Sequence, residues 1–460
     1  MNAQLLTLSR LQFAFTVAFH MTFPAITVGL SVFLVLMYGA YLRTNKEIYL
    51  TIYRFWRNIF AVGFGLGVVS GIVITFEFGL NWAGYANAVG PIVGVTNSME
   101  VIVAFFLEAG FIGILLYGDG RVSKRVMFIA TCMVALGTLL STFWILASNS
   151  WMQTPAGYTL VNGQFRPTNW IAAIFNPSFL YNLSHTLLGV LLAASLVVTG
   201  TAAWYLLKRR HLEFARRTLS LGLGVLSILI PLQLFMGDTL AFNMLVFQPP
   251  KVIAFEGNWD STNTGWNVFI IPDQNEQRNL VQIGIPCLGS IIDNHDFTCR
   301  EPVPGLKQVP RAQQPPMVFA FYGFRLMLYI SMLMFAVTAS GIWLRLRGRL
   351  YTARWFHRFV LLMFPVGIVG VICGWIAAET GRQPYVVYGK LTTAAAVSPL
   401  SPGLVVASLI AFILIYLTLL TLYIAYLVRT IRRGPGDSEQ LAPALGRQDE
   451  PATLATEKAS

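Results

Sequence analysis

Eight ionisable side chains, His20, Glu77, Glu100, Glu108, His185, Asp238, Arg325 and Glu379, fall inside or at the ends of long apolar stretches of a 460-residue chain, and Met327 lies two residues after the arginine. An ionisable group in a hydrocarbon layer is costly unless it is paired, so each is a candidate for chemistry. Imidazole and thioether bind transition metals and form a common axial pair for low-spin haem iron, which makes His20, His185 and Met327 candidate metal ligands. An iron held from one side, or opposed by a weak carboxylate, keeps a position open for oxygen. Copper at an oxygen-reducing centre wants several histidines, yet His211 and His357 lie in basic connections and His295 in a polar loop, so the pattern argues against a haem-copper site. Glu100 and Glu108 are eight residues apart, about 12 Å along one helix, a spacing that suits a proton relay. Glu108 could instead pair with a neighbouring helix, and Glu77 and Asp238 could simply be helix-end residues.

The elements that must position these groups are membrane spans. The chain is 55% hydrophobic and 11% charged, with a mean hydropathy of +0.63, outside the balance of a soluble domain. Apolar windows of about 20 residues predict an all-α integral membrane protein with nine transmembrane helices: Phe13 to Leu42, Phe60 to Phe78, Met99 to Gly118, Val126 to Ser148, Phe179 to Leu207, Leu219 to Phe242, Val318 to Leu344, Phe359 to Glu379 and Leu404 to Val428. The first run is too long for a signal-peptide core and lacks a basic start, so it is expected to remain as a span. The organisation expected is helices one to six in 1–242, an external loop in 243–317, helices seven to nine in 318–430 and a disordered cytoplasmic tail in 431–460. No internal repeat of the kind found in transporters is visible.

The net charge of +12 is a matter of topology, not of a nucleic-acid site, because the basic residues are segregated by connection. "RTNKEIYLTIYRFWR", "GDGRVSKR", "KRRHLEFARR", "RLRGRLYTARWFHR" and the tail hold most of the 32 Lys and Arg residues. That asymmetry predicts the N-terminus outside and the C-terminus in the cytoplasm. Spans one, five and seven then start outside, which puts His20, His185 and Met327 roughly 10 to 15 Å below the outer surface. Glu100 opens the third span and Glu379 closes the eighth, so five candidate ligands from five helices are expected to meet at a common level in the outer half of the membrane.

The stretches "GWIAAETGRQPY", "SMEVIVAFFLEAGFIGI", "STFWILASNSWMQTPAGY" and "FYGFRLMLYI" together resemble subunit I of the cytochrome bd-type quinol oxidases, and the resemblance runs through all nine expected spans. It implies that His185 and Met327 are axial ligands of a low-spin haem b with Arg325 as its electrostatic partner. His20, Glu100 and Glu379 would surround a high-spin haem b and a haem d, or a third haem b in its place. Glu108 would lie on the proton pathway, with Trp375 and Arg382 beside the haems and Arg382 neutralising propionates. "QPPKVIAFEGNWD" resembles the start of the family's quinol-binding loop, with Lys251 as an orienting charge and Glu256 as the base that takes the quinol proton; without the resemblance the two read as a solvated loop charge pair.

The loop before span seven is short, as in the cyanide-insensitive branch of that family. The resemblance further implies ubiquinol and O2 as substrates, a second membrane subunit (subunit II), a small accessory subunit, and a location in the bacterial cytoplasmic (inner) membrane. Electrons from quinol would reach oxygen through the haems while protons for water come from the cytoplasm, generating proton motive force without a pump. Cys287 and Cys299 share the external loop, where an oxidising compartment permits a disulfide that stabilises on the order of 3 kcal/mol; Cys132 and Cys373 are expected to be packing residues. Two other readings stand beside the oxidase: a haem b quinol electron carrier without an oxygen site, and an ion-coupled transporter using Glu100, Glu108 and Arg325.

Overall fold

The computed structural model describes residues 3–436. Among these, nine helices are long and apolar enough to cross a membrane: Ala3–Thr44, Glu47–Leu80, Ala83–Tyr117, Lys124–Gln153, Phe179–Lys208, Leu212–Phe247, Met317–Leu346, Arg354–Thr380 and Pro402–Arg433, here the first to ninth spans. They are the nine expected from apolarity, and most run well past the expected ends. Helical hydrogen bonds are local, so a helix continues beyond the apolar window wherever its polar border still buries something. The second span begins at Glu47 and not at Phe60 because Tyr53, Phe55 and Trp56 are fully buried, with Phe55 edge-on to Tyr205 and Phe214. Of the expected cytoplasmic tail, residues 437–460 lie outside the described residues.

Proline explains two interruptions. The first span divides at Phe23 into Ala3–Thr22 and Pro24–Thr44, and the eighth into Arg354–Leu362 and Val366–Thr380 around Pro365. Proline lacks the amide donor that a continuous helix needs. The third span is interrupted differently, by two π-helical segments, Gly90–Gly94 and Glu100–Phe105.

The fifth span is the hub, packing against the first, fourth, sixth and eighth. Apolar side chains gain little by leaving lipid for one another, so close approach through small residues must hold such a bundle together. The fifth span supplies them: Ala193 lies against Gly367, and Gly200 leaves room for the Phe364 ring. Nearly all of residues 190–206 are buried in consequence, yet 182–189, at the other end of the same central helix, are half-buried. The bundle is dense at one end and open at the other.

That open end carries the elaborate connections. A hairpin, Tyr158–Val161 with Gln164–Pro167, packs on Trp151. The 243–317 connection holds a short helix, Pro249–Glu256, then a hairpin pairing Trp266–Asp273 with Arg278–Ile285, then a helix, Leu288–Asp293. It is tied down on the seventh span, where the Tyr322 hydroxyl donates to Ile270 O and the Tyr329 hydroxyl to Val268 O. Cys287 and Cys299 are joined as a disulfide, and Cys132 and Cys373 are free.

Candidate functional site

His185 and Met327 stand on the fifth and seventh spans, both of which pack against the sixth and the eighth. Each meets a glycine on one of those intervening helices. A methyl group on Gly237 of the sixth span would lie 3.5 Å from His185 Cε1, and one on Gly374 of the eighth would lie 2.8 Å from the Met327 sulfur. His185 falls within the half-buried 182–189 segment of the otherwise enclosed fifth span. Room around an imidazole, with a thioether and glycine-smoothed walls nearby, suits a flat macrocycle between helices. Among the described residues no three His, Cys, Asp or Glu side chains converge as a protein-only metal cage.

The fourth span sets the acidic residues in a ladder. Asn149 Nδ2 donates to Glu379 Oε1 at 2.9 Å, Ser141 Oγ donates to Glu100 Oε1 at 2.6 Å, and a methyl on Gly137 would overlap the Cγ of Glu108. Counted along that helix, Glu100 is about 12 Å deeper than Glu379 and Glu108 about 6 Å deeper again. The expected single level is therefore corrected to tiers. The reason is physical: depth had been counted from the start of the apolar window at Met99, whereas the helix begins at Ala83, so Glu100 lies well inside the span and not at its mouth.

Glu100 also opens the π-helical segment Glu100–Phe105. In a regular α-helix eight residues overshoot two turns by about 80°, which would turn Glu108 away from the helix that Glu100 faces. The wider turns of a π segment take back that excess. Both carboxylates thereby face the fourth span.

His20 belongs to the deeper tier. Its Nδ1 is 3.0 Å from Ser70 Oγ on the second span. It lies about 10 Å along the first span from Phe13, whose ring centroid is 6.4 Å from that of Trp375. Glu77, read as a possible border residue, is in fact buried, accepting a 2.7 Å bond from Thr16 Oγ1 while its other oxygen has no partner.

The outer tier centres on Arg382, which is 3% exposed. Its Nη2 donates to Glu379 Oε2, but its Nε and Nη1 have no hydrogen-bond partner among the described residues. Buried guanidinium N–H groups left without acceptors are costly, and these two are suited to an anionic oxygen such as a haem propionate. Lys251 lies beside them. Its Nζ donates to Gln153 Oε1 at 2.8 Å and Gln248 Oε1 at 3.0 Å, and its Cγ packs over Gly381. Burial pushes the Lys251 ammonium down to about 7, Arg382 adding repulsion and Glu379 opposing it.

Glu256, on the same short helix, reaches the other way. Arg325 grips it with Nη2 at 2.6 Å from Oε2 and Nη1 at 3.4 Å from Oε1, and Arg325 Nε donates to Asn267 O at 2.6 Å. The guanidinium, wholly buried, lies 4.2 Å over the Trp266 ring. The solvated Lys251–Glu256 pair considered from sequence is thus not what the fold builds: both residues are buried, and each has other partners. Asp238 is exposed on the sixth span and is not among these groups.

Sequence reasoning missed the neutral residues that hold the charged ones: Ser70, Ser141, Asn149, Gln153, Gln233 and Gln248. A search for charge passes over amides and hydroxyls. Asn149 and Gln153 were legible as polar residues at i and i+4, on one face of an apolar helix. Asp293 was missed too. It is pushed up to about 8 by burial and then by Glu256, with Arg325 opposing, and its Oδ2 has no partner among the described residues.

Comparison with known proteins assigns this architecture. The family model for cytochrome bd terminal oxidase subunit I matches residues 8–435. The chain is 32% identical to a cytochrome bd ubiquinol oxidase subunit 1 of Bacillus subtilis (strain 168), over 93% of this chain and 94% of that one. It is 30% identical to the cytochrome bd-II ubiquinol oxidase subunit 1 of Escherichia coli (strain K12), over 95% and 98% respectively. Among solved structures it is similar to the bd oxidase from Geobacillus thermodenitrificans, with a TM-score of 0.86 and 28% identity over 95% of this chain and 100% of that one. The chain belongs to the family of cytochrome bd terminal oxidase subunit I.

Proposed function

We propose that this chain is the haem-carrying subunit of a quinol oxidase that takes electrons from ubiquinol at the outer face of the bacterial inner membrane and draws protons for water from the cytoplasm. Terminal quinol oxidation is the activity of the family, with haem cofactors and a partner subunit II. The observation that carries the finer reading is the Pro249–Glu256 helix. Lys251 wedges it against Glu379 and Arg382, and Glu256 fastens it to Arg325, two residues before Met327. The segment read as a quinol site is thereby in contact with both groups of residues read as haem surroundings.

His185 and Met327 would hold a low-spin haem b. His20, Glu100 and Glu379 would surround a high-spin haem b and a haem d or third haem b, with Trp375 and Arg382 alongside. Bound haem supplies the electron transfer and the oxygen chemistry. The protein's own groups manage protons. A quinol hydroxyl loses its proton as its electron leaves, and Glu256 accepts it, the partnership with Arg325 holding the carboxylate aimed until then. Lys251 orients the quinol oxygen by exchanging one of its two amide acceptors for it. Glu108 and Glu100, brought to one face of the third span, move protons toward the deeper tier. The excess of Lys and Arg at the end opposite the 243–317 connection supports an outside N-terminus. Charge then separates because electrons and protons arrive from opposite sides, without a pump. The short 243–317 connection is consistent with the cyanide-insensitive branch, and a small accessory subunit completes the complex.

A reduced-minus-oxidised absorption spectrum of the purified complex tests this reading. Low-spin b together with high-spin b or d bands, and a carbon monoxide difference signal, are expected. A single low-spin b signal would favour the electron carrier, and no pigment would favour the transporter.

A further inference from the structure

The sixth span brings one polar side chain to His185. Gln233 Nε2 lies 3.3 Å from the imidazole Nδ1 and 3.4 Å from Nε2, while Gln233 Oε1 is buried and has no hydrogen-bond partner among the described residues. One turn further along, the same helix presents Gly237 to the ring, with no side chain to accept a proton. An imidazole that gives one nitrogen to a metal carries its proton on the other, and that N–H needs an acceptor. Rotating the terminal amide of Gln233 by half a turn exchanges its oxygen and nitrogen at almost no change in shape. The unused acceptor is thereby offered to the ring nitrogen that needs one.

We infer that Gln233 is a positioning residue for the His185 ligand: its amide oxygen accepts the Nδ1–H, fixing the ring's orientation and raising its donor strength toward iron at Nε2. The inference rests on the reading of His185 as an axial ligand. A more electron-rich imidazole favours the ferric state, so Gln233 holds the reduction potential of the low-spin haem down. Partners of this kind change metal affinity or activity ten- to a hundredfold when removed. For a one-electron couple a tenfold change in the ratio of ferric to ferrous affinity corresponds to about 59 mV.

The test is a potentiometric titration of the low-spin band in the complete complex, comparing wild type with Gln233→Leu and Gln233→Glu. Leucine removes the acceptor and is expected to raise the midpoint potential by about 59 mV or more. Glutamate, a stronger acceptor of the same shape, is expected to lower it. Shifts in the same direction, or no shift in either variant, would overturn the inference, because loosened packing does not distinguish the two substitutions. Should Gln233→Leu fail to assemble, the direction of the Gln233→Glu shift decides alone. His185→Ala separates the two levels: loss of the low-spin band sustains the ligand reading whatever Gln233 does, and retention of the band sinks both.

Discussion

Two arginine–glutamate pairs, one wholly buried and one with its glutamate half-buried, sit on opposite sides of the Pro249–Glu256 helix, and they are finished to different degrees. Arg325 has both Nη atoms on Glu256, its Nε on Asn267 O and an aromatic face against its plane. Arg382 holds Glu379 with one nitrogen and has two others unmatched. The first pair joins residues 69 apart in sequence, so it staples a loop to a membrane helix. The second joins neighbours on one helix turn, staples nothing, and keeps binding capacity in reserve. A saturated buried pair is architecture; an unsaturated one is a receptor for a further charge.

Removing one partner is the sharpest way to break that contrast. Arg325→Leu leaves Glu256 buried and uncompensated, a cost of about 3–5 kcal/mol. The expected outcome is a large fall in the melting temperature of the complex together with loss of quinol oxidation; a variant melting like wild type would remove the architectural role. Arg382→Gln is expected to leave the melting of the 243–317 region nearly intact while weakening haem retention by roughly ten- to a hundredfold, the equivalent of about 1.5–3 kcal/mol for a charged hydrogen bond. The haem-to-protein ratio after detergent dilution measures it, and an unchanged ratio would leave Arg382 with no receptor function.

Two pH experiments sharpen the comparison further. Lys251, pushed down to about 7, loses its proton in the fold well before an exposed lysine would. Its cationic form is lost as pH rises through about 7, so the KM for quinol should climb there, and Lys251→Met should flatten the climb. The stability sign runs the other way: between about 7 and 10.5 the unfolded chain binds the extra proton, so burying Lys251 costs least at the alkaline end and most below about 7. The smallest effect expected is at Asp293. Its carboxyl, pushed up to about 8, keeps its proton in the fold between the ordinary carboxyl range and that pH. This contribution is fully present at acid pH and lost as pH rises through about 8. Asp293→Asn should match wild type in melting temperature near pH 3.8 and exceed it by a margin that grows up to about pH 8; equal curves throughout would mean that burial and Glu256 do not shift Asp293.

All nine spans were legible in the sequence because a bilayer demands long apolar windows and nothing else in this chain makes them. The helix ends were not, since apolarity says nothing of how far a hydrogen-bond ladder persists, and that error carried into depth: Glu100 was expected at the mouth of the third span. Glu108 against Gly137 and Glu379 beside Arg382 could be anticipated as buried carboxylates with neighbours. That Arg325 would take Glu256 from a loop 69 residues away could not, because nothing local in either segment encodes the other. Gln233 is the instructive omission. A neutral amide in an apolar helix carries the same demand for partners as a charge, at lower cost, and a search confined to ionisable residues never reaches it.

A π segment is what remains when an α-helix absorbs one additional residue without breaking. The third span would therefore tolerate losing one residue between Glu100 and Phe105 as far as membrane insertion is concerned: it would still be apolar, helical and long enough. The shortened helix, regular α throughout, would put Glu108 seven residues after Glu100, about 20° short of two turns, and so still against Gly137. Forcing the full-length segment into regular α geometry would instead turn Glu108 by about 80° away from the fourth span, so the widened turns preserve the register of the two carboxylates across the added residue.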